Sequence, residues 1–384
     1  MCGELSQERH CTLRRVMRSS TTLPTLRIIE PQLVGCSGHY AEFIRALASR
    51  CDDVFECIEV VASARAREFI PSLGGTVPVV AHPLPRGPLS EMRAINDSLH
   101  QGRHTFVLTA NASHALMADG LGWQKRADLR RFSMFMHWPL VKPSARLALA
   151  LARRTRAESL FVAPTRGVLD ALKVAECDHA LVVNYPATRL ANAPMRSPFA
   201  YLLMAGAARL NKGLDTIAEL AELLSGEGRT MQLLVQVSPK HVTHHSPREA
   251  ACVARLLAAN YPGLVADANA PDRAQYAARY AGALVLAPYE RAKFADGVSG
   301  VVLDALLHGA PVVATAGTWA GDVVERFDAG IALKERTAAH LLRSIDRVLQ
   351  RWDQYAANAA IASDTLAREH DPRNLARALA ARGV

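Results

Sequence analysis

The stretch that decides the fold runs Leu286-Ala-Pro-Tyr-Glu290, then Asp296-Gly-Val-Ser-Gly-Val-Val-Leu-Asp304, then Gly309-Ala-Pro-Val-Val-Ala-Thr315. It opens on an apolar strand-like run (283–287) and closes on a second one (311–315). Between them the residues predict a helix over 300–308. Ser299 is placed to cap it, Gly309 to take a left-handed conformation after it, and Pro311 prevents its continuation. Strand, loop, helix, strand is the unit of a parallel α/β sheet. The free amides at Gly297, Val298, Ser299 and Gly300 would project from the helix start and form an anion site suited to a diphosphate. Glycine at 297 and 300 lets a ligand approach the backbone. Asp304, a little over one turn in, is within reach of a ribose diol, and Asp296 of a sugar hydroxyl.

The same alternation extends in both directions. Upstream, an apolar run (26–29) leads through Gly35-Cys-Ser-Gly38 to a helical pattern (39–47), and strand-like runs follow at 54–61, 77–80, 105–109, 131–136, 159–163 and 180–183, with a helix near 167–173. A Pro-, Asn- and Arg-rich segment breaks the pattern, and a second series begins: strands at 199–204 and 231–237, a helix at 214–224, and helical patterns at 337–349 and 352–381. The predicted fold class is α/β, two Rossmann-like domains facing across a cleft. Residues 1–25 are expected to be a mobile N-terminal extension, 26–187 an N-terminal Rossmann-like domain, 188–197 a linker, 198–365 a C-terminal Rossmann-like domain, and 366–384 a C-terminal helix crossing back to the first domain.

Composition narrows the function. Half of the 384 residues are hydrophobic and 21% are charged, enough apolar surface for two cores and too much for a disordered chain. No stretch approaches the roughly 18 apolar residues of a membrane span. The 45 Lys and Arg against 36 Asp and Glu give +9, which favours anionic partners. Yet no basic block or aromatic-basic motif of a nucleic-acid binder occurs. Seven cysteines without a C-x-x-C fit neither a disulfide framework nor a thiolate zinc site, and suit a reducing cytoplasm. Walker, G-x-G-x-x-G and Asp-x-Asp patterns are absent.

These motifs together resemble the nucleotide-sugar site of retaining GT-B glycosyltransferases, the group-one glycosyl transferases that include glycogen- and sucrose-synthase relatives. That family carries two acids separated by seven residues, then Gly-x-Pro-Val-Val-Ala. Here the acids are Asp296 and Asp304, where the family usually has Glu. The resemblance implies that Asp304 holds the ribose and Asp296 the transferred sugar; an alternative gives the sugar contact to Ser299 and Gly300. Gly206-Ala-Ala-Arg209-Leu-Asn-Lys212-Gly213 resembles the family's Gly-Arg-Leu…Lys-Gly loop. Its cations would offset charge on the departing nucleoside diphosphate; Ala207 stands where the usual Arg would be, so Arg209 substitutes, with Lys212 as a point charge.

By the same resemblance Gly38 would approach the donor phosphates, His137 would point toward the reacting sugar, and Tyr289 and Glu290 would meet the base or the sugar. His39, Asn111, Ser113 and His114 are candidates for the acceptor pocket. The implied catalytic set is His137, Asp296, Arg209 and Lys212, with 26–187 as the acceptor-binding domain and 198–365 as the nucleotide-sugar-binding domain. No metal or other cofactor is expected, because amides and cations would hold the phosphates.

The implied partners are a nucleotide sugar and a glycan or lipid-linked acceptor. An apolar stretch at 147–152 among Lys142, Arg146, Arg153, Arg154 and Arg156 adds an anionic inner-membrane surface, giving a cytoplasmic and peripheral-membrane location. The expected activity is retaining transfer of a sugar to a hydroxyl in exopolysaccharide or cell-envelope glycan assembly. The rival readings are a binding or scaffold protein on the same fold, and a sugar phosphorylase or nucleotide-sugar hydrolase.

Overall fold

The structure, a computed structural model, describes residues 23–36, 38–120, 127–189, 196–238, 245–269 and 271–382. Most of the expected N-terminal extension and linker therefore lies outside the described residues, as does Ser37 of the first glycine loop. The chain divides into two compact units, Met1–Ala187 with His370–Val384, and Thr188–Glu369.

In the first unit the elements run β1 (Thr25–Glu30), α1 (His39–Ala48), β2 (Cys57–Ser63), β3 (Val79–Leu84), α2 (Pro88–His100), β4 (His104–Val107), α3 (Ala112–Asp119), β5 (Phe132–Phe135), α4 (Pro143–Leu151), α5 (Arg153–Glu158), β6 (Leu160–Ala163), α6 (Arg166–Val174) and β7 (Ala180–Val182). They build a seven-stranded sheet in the order β3-β2-β1-β4-β5-β6-β7, all of whose pairs are parallel. Strand order reverses direction between β1 and β4, the topological switch point at which open α/β sheets bind ligands. One face of the sheet carries a core built on Phe43, Ile44, Phe106 and Phe135, the other a core built on Ile29, Val107, Phe132 and Phe161.

The second unit runs β8 (Tyr201–Met204), α7 (Leu214–Gly226), β9 (Gln232–Gln236), α8 (Pro247–Ala258), β10 (Leu264–Asp267), α9 (Arg273–Ala278), β11 (Ala283–Ala287), α10 (Arg291–Phe294), α11 (Gly300–Leu307), β12 (Val312–Thr315), α12 (Trp319–Phe327), β13 (Gly330–Leu333), α13 (Ala338–Gln350) and α14 (Trp352–Glu369). Its six strands are ordered β10-β9-β8-β11-β12-β13, with the switch between β8 and β11. The fold class is α/β with two Rossmann-like units.

Several predicted boundaries move. The strand expected at 54–61 starts at Cys57, because Val54 and Phe55 donate back to the Cys51 carbonyl in a turn. The strand expected at 77–80 extends to Leu84 through Pro83, which an edge strand tolerates. The helical pattern at 352–381 breaks at His370: Asp371 caps a new helix, α15 (Pro372–Ala380), with proline at its first position. The expected boundary after residue 365 falls inside α14. Helix α15 places Leu375, Ala376 and Leu379 in the core of the first unit.

Strand β13 depends on a glycine. Gly330 has φ +144°, and a Cβ there would lie 1.9 Å from the Val312 carbonyl oxygen on the paired strand. Gly330→Ala is expected to destabilise the second unit by at least ~2 kcal/mol, read as a lowered urea midpoint; an unchanged midpoint would refute the packing described.

Candidate functional site

In the second unit the site is assembled at the carboxyl ends of β8 and β11, on either side of the switch. Strand β8 ends at Met204, and after Ala205 Gly206 turns the chain with φ +81° while its N–H donates to Gln236 Oε1 at 3.0 Å. Gln236, buried at the end of β9, also donates to Ser238 Oγ at 2.9 Å. Gly213 allows the close approach of the next turn: at φ +88°, a Cβ would sit 2.4 Å from the Pro288 carbonyl oxygen. The Glu290 N–H donates to the Asn211 carbonyl at 2.9 Å. The loop after β8 is thus sewn to the loop after β11.

This stitching sets Lys212. Its Nζ lies 3.3 Å from where a Cβ on Gly206 would stand, a place also 3.1 Å from Val301 Cγ2 in the first turn of α11. The ammonium is 5.9 Å from the ring centroid of Tyr289, a weak cation–π distance. Tyr289 is buried, and its hydroxyl accepts from Ser299 Oγ at 3.3 Å. Burial raises its phenol above the ordinary range, so it stays neutral. Arg209 Nε is buried with no hydrogen-bond partner among the described residues, as is Asn211 Oδ1.

Helix α11 starts as its residues predict. Ser299 Oγ accepts from the Val302 N–H at 3.3 Å, and the Ser299 carbonyl from the Leu303 N–H at 2.9 Å. The N–H groups of Gly300 and Val301 find no acceptor among the described residues. A Cβ on Gly300 would meet nothing within 4 Å, so open space lies in front of this helix start. Lys212, Tyr289, Ser299, Gly300 and Val301 therefore form one group, with Glu290 beside it. Gly297 is buried, and Asp296 and Val298 are partly buried in the same loop.

Asp304 has surroundings that sequence reading did not reveal. Burial, then the Asp304 charge, push the Tyr276 phenol well above its usual range, and Tyr276 is hydrogen-bonded to Asp304. Tyr280 donates to Tyr276 Oη at 2.6 Å. A carboxylate held by a phenol has less freedom to serve a ligand than the exposed acid that sequence suggests.

In the first unit, Gly38 (φ +95°) and His39 are exposed at the start of α1. The His39 carbonyl accepts from the Tyr185 hydroxyl at 2.9 Å, and the Tyr185 ring lies 6.2 Å from that of His137. His137 follows β5 and donates from Nε2 to the Leu108 carbonyl at 3.0 Å. Burial among Phe135 and Tyr185 lowers its pKa to about 4. It is a neutral imidazole with Nδ1 left as acceptor: it can orient a hydroxyl, but is too weak a base to hold its proton at neutral pH.

Of the acceptor candidates, exposed Asn111 and Ser113 sit at the α3 cap, where the Ser113 N–H and hydroxyl both donate to Asn111 Oδ1. His114 departs from the expectation. It is buried; Nδ1 accepts from the Asn111 N–H at 3.1 Å, and Nε2 faces Glu91 Oε2 at 3.3 Å. One ring nitrogen is spent on the capping box and the other on Glu91, so His114 secures the helix start and ties it to α2. Sequence reading also passed over Glu30, Thr109, Gln236 and Tyr276. Among the described residues no group of three or more His, Cys, Asp or Glu could hold a metal ion.

No protein-family model matches the chain, and no curated protein matches it in sequence. Solved structures do match in fold. Sucrose-phosphate synthase (tll1590) from Thermosynechococcus elongatus superposes with TM-score 0.64 at 13% identity, over 89% of this chain and 94% of that one. Anabaena Alr3699/HepE, solved in complex with UDP and glucose, gives 0.64 at 13% identity over 90% and 95%. WaaG, a glycosyltransferase involved in lipopolysaccharide biosynthesis, gives 0.62 at 13% identity over 92% and 98%. The fold of the chain is thus that of GT-B glycosyltransferases.

The His137 environment makes a sign-definite prediction. Its folded pKa is depressed, so acid must charge a buried ring; stability is expected to fall as pH drops through 6.5 toward 4, by on the order of 3 kcal/mol. Urea titrations of wild type and His137→Gln should show that slope reduced in the variant; parallel slopes would contradict the buried neutral imidazole.

Proposed function

We propose that the chain is a retaining glycosyltransferase that moves a sugar from a nucleoside-diphosphate sugar to a hydroxyl acceptor. The observation that carries this reading is the convergence of Lys212 with the unbonded amides of Gly300 and Val301, at a helix start open to solvent. Amide dipoles and a fixed cation at one point suit a diphosphate. The fold is shared with a protein solved in complex with UDP and glucose, which supports a nucleotide-sugar donor.

In the proposed reaction the bond between the anomeric carbon and the diphosphate oxygen breaks, and a bond to the acceptor oxygen forms on the same face. The acceptor proton passes to a diphosphate oxygen. Negative charge grows on the leaving group, where Lys212, Arg209 and the α11 amides offset it in place, without reorganisation. The buried Arg209 Nε, without a hydrogen-bond partner among the described residues, fits that role. Asp296, with Ser299 and Gly300 as the alternative contact, would hold the sugar, and Asp304 the ribose through one oxygen while Tyr276 engages the other. Neutral His137 would accept a hydrogen bond from a sugar hydroxyl through Nδ1. Phosphates held this way need no metal ion. The setting proposed is exopolysaccharide or cell-envelope glycan assembly, consonant with a fold shared by WaaG.

Calorimetry with UDP and UDP-glucose, followed by an assay of donor consumption, tests this. Lys212→Ala is expected to lower turnover on the order of 10²-fold with an unchanged circular dichroism spectrum. Unaltered turnover would remove Lys212 from the mechanism. UDP binding without turnover would favour a binding protein on the same fold, and phosphate-dependent release of a sugar phosphate a phosphorylase.

The proposed location is the inner membrane face. The expected single amphipathic helix is two, α4 and α5, and on α4 only Leu149 is buried. Leu147 and Leu151, one turn apart, are 62% and 63% exposed, and Val141 is 73% exposed. Exposed Lys142, Arg146 and Arg153 flank this ridge, a combination suited to anionic lipid. Among the described residues no helix is long and apolar enough to cross a membrane. In flotation with phosphatidylglycerol vesicles the protein is expected to co-migrate, whereas Leu147→Asp with Leu151→Asp should stay at the bottom. Equal behaviour with phosphatidylcholine vesicles would contradict the charge argument.

A further inference from the structure

Among the described residues, Glu30 is the only acidic side chain in the buried set, with no exposed surface. It is the last residue of β1, and across the switch point from it stands Thr109, just beyond β4. The carboxyl has no cationic partner. Its Oε1 accepts from the Gln32 N–H at 2.9 Å and its Oε2 from the Thr109 hydroxyl. Thr109 is also hydrogen-bonded to Tyr40, whose hydroxyl donates to Gln32 Oε1 at 3.0 Å. Gln32 is exposed. A buried acid is thus joined through two hydroxyls to an amide at the surface of the carboxyl edge, where such sheets bind ligands.

We infer that Glu30 is a positioning residue for the acceptor side of the first unit: it sets the direction of the Thr109–Tyr40–Gln32 hydrogen bonds, and so whether the surface end offers an acceptor to a sugar hydroxyl. This deepens the glycosyltransferase reading and rests on it for the identity of the ligand. When Glu30 is ionised it accepts from the Thr109 hydroxyl, Thr109 accepts from Tyr40, and Gln32 Oε1 is left for a ligand hydroxyl. When Glu30 is protonated it donates to Thr109, Thr109 to Tyr40, and Tyr40 to Gln32, taking one of the two lone pairs of its oxygen. The two states differ by the one proton that Glu30 exchanges with solvent; the hydroxyl protons only reorient.

The switch falls in a useful range. Burial raises the Glu30 carboxyl to about 7, against the lowering effect of the Thr109 and Gln32 hydrogen bonds. The charged groups around it are few. Glu91 on α2 repels the carboxylate and is engaged with His114 of α3. Tyr40 on α1 is a neutral phenol raised by burial and by Glu30. His137, after β5, is neutral and bonded to the Leu108 carbonyl. On β2 the position paired with Glu30 is Ala62. On β3, His82 faces Glu59.

The test has two arms on the full chain. Infrared spectroscopy in D₂O between pH 5 and 9 should show a buried protonated carboxyl that disappears with a midpoint near neutrality and is missing from Glu30→Gln. Tyr40→Phe, which leaves the carboxyl in place, should shift that midpoint. A midpoint in the ordinary carboxylate range, or one indifferent to Tyr40→Phe, overturns the inference. In the second arm, saturation-transfer NMR with methyl α-D-glucopyranoside should show binding about fivefold tighter above the midpoint than below it. Glu30→Gln and Tyr40→Phe should each flatten that pH profile. Absence of sugar binding, or a profile unchanged in both variants, also overturns it. UDP calorimetry on the same proteins reports on the second unit alone. Loss of UDP binding by wild type would reject the donor reading, while the carboxyl midpoint and its response to Tyr40→Phe would still be read.

Discussion

The candidate donor site depends on an empty position: Gly206 has no side chain, and Lys212 with Val301 fills the space that one would occupy. A lysine ammonium is strongly hydrated and its stem is flexible, so a fixed location requires walls. The walls here are the backbone of Gly206, the first turn of α11 and the ring of Tyr289. Each wall is held in turn, Gly206 by the Gln236 amide, Tyr289 by Ser299, and the loop beneath Lys212 by the close approach of Gly213 to Pro288. Positive charge is thereby brought to a helix start whose own amides point into open space. Two sources of positive potential that would be weak apart are directed at the same place.

The two sheets use their switch points differently. In the second unit the gap between β8 and β11 is lined by amides, Lys212 and Arg209, a surface for an anion. In the first, the gap between β1 and β4 is lined by Glu30, Thr109, Tyr40 and Gln32, with neutral His137 near by, a surface for hydroxyls. The same topology thus presents opposite chemistry. The difference lies in side chains at strand ends, where the fold constrains conformation and leaves residue type free.

Burial decides which ionisable groups carry charge. Tyr289 and His137 are kept neutral by enclosure. Glu30 is balanced between enclosure, which favours the acid, and two donated hydrogen bonds, which favour the carboxylate. The Tyr276 phenol is pushed well above its usual range by burial and by the neighbouring Asp304. Charge read from the sequence alone would assign full ionisation to Glu30.

The alternation of apolar runs, glycine loops and amphipathic helices carried the α/β class and the two-part organisation, because strand, turn and helix signals are local. The Ser299 cap and the Gly309 and Pro311 stop were legible for the same reason. The strands Leu264–Asp267 and Gly330–Leu333 were not: each has four residues without alternation, and their identity comes from pairing with β9 and β12. Glu30 reads as a solvated acid before a Pro31 turn, and only the pairing of β1 with β4 brings Thr109, 79 residues on, to its carboxyl. Gln236 reads as a strand residue until its amide is seen on Gly206, 30 residues away. His114 looks available until the capping box engages one ring nitrogen and Glu91 the other. The sequence by itself determined most of the strands and helices and where a helix start is left open, since those depend on neighbours along the chain. The tertiary structure decided which polar groups are enclosed, paired or left unsatisfied, since desolvation and hydrogen bonding depend on groups that only folding brings together.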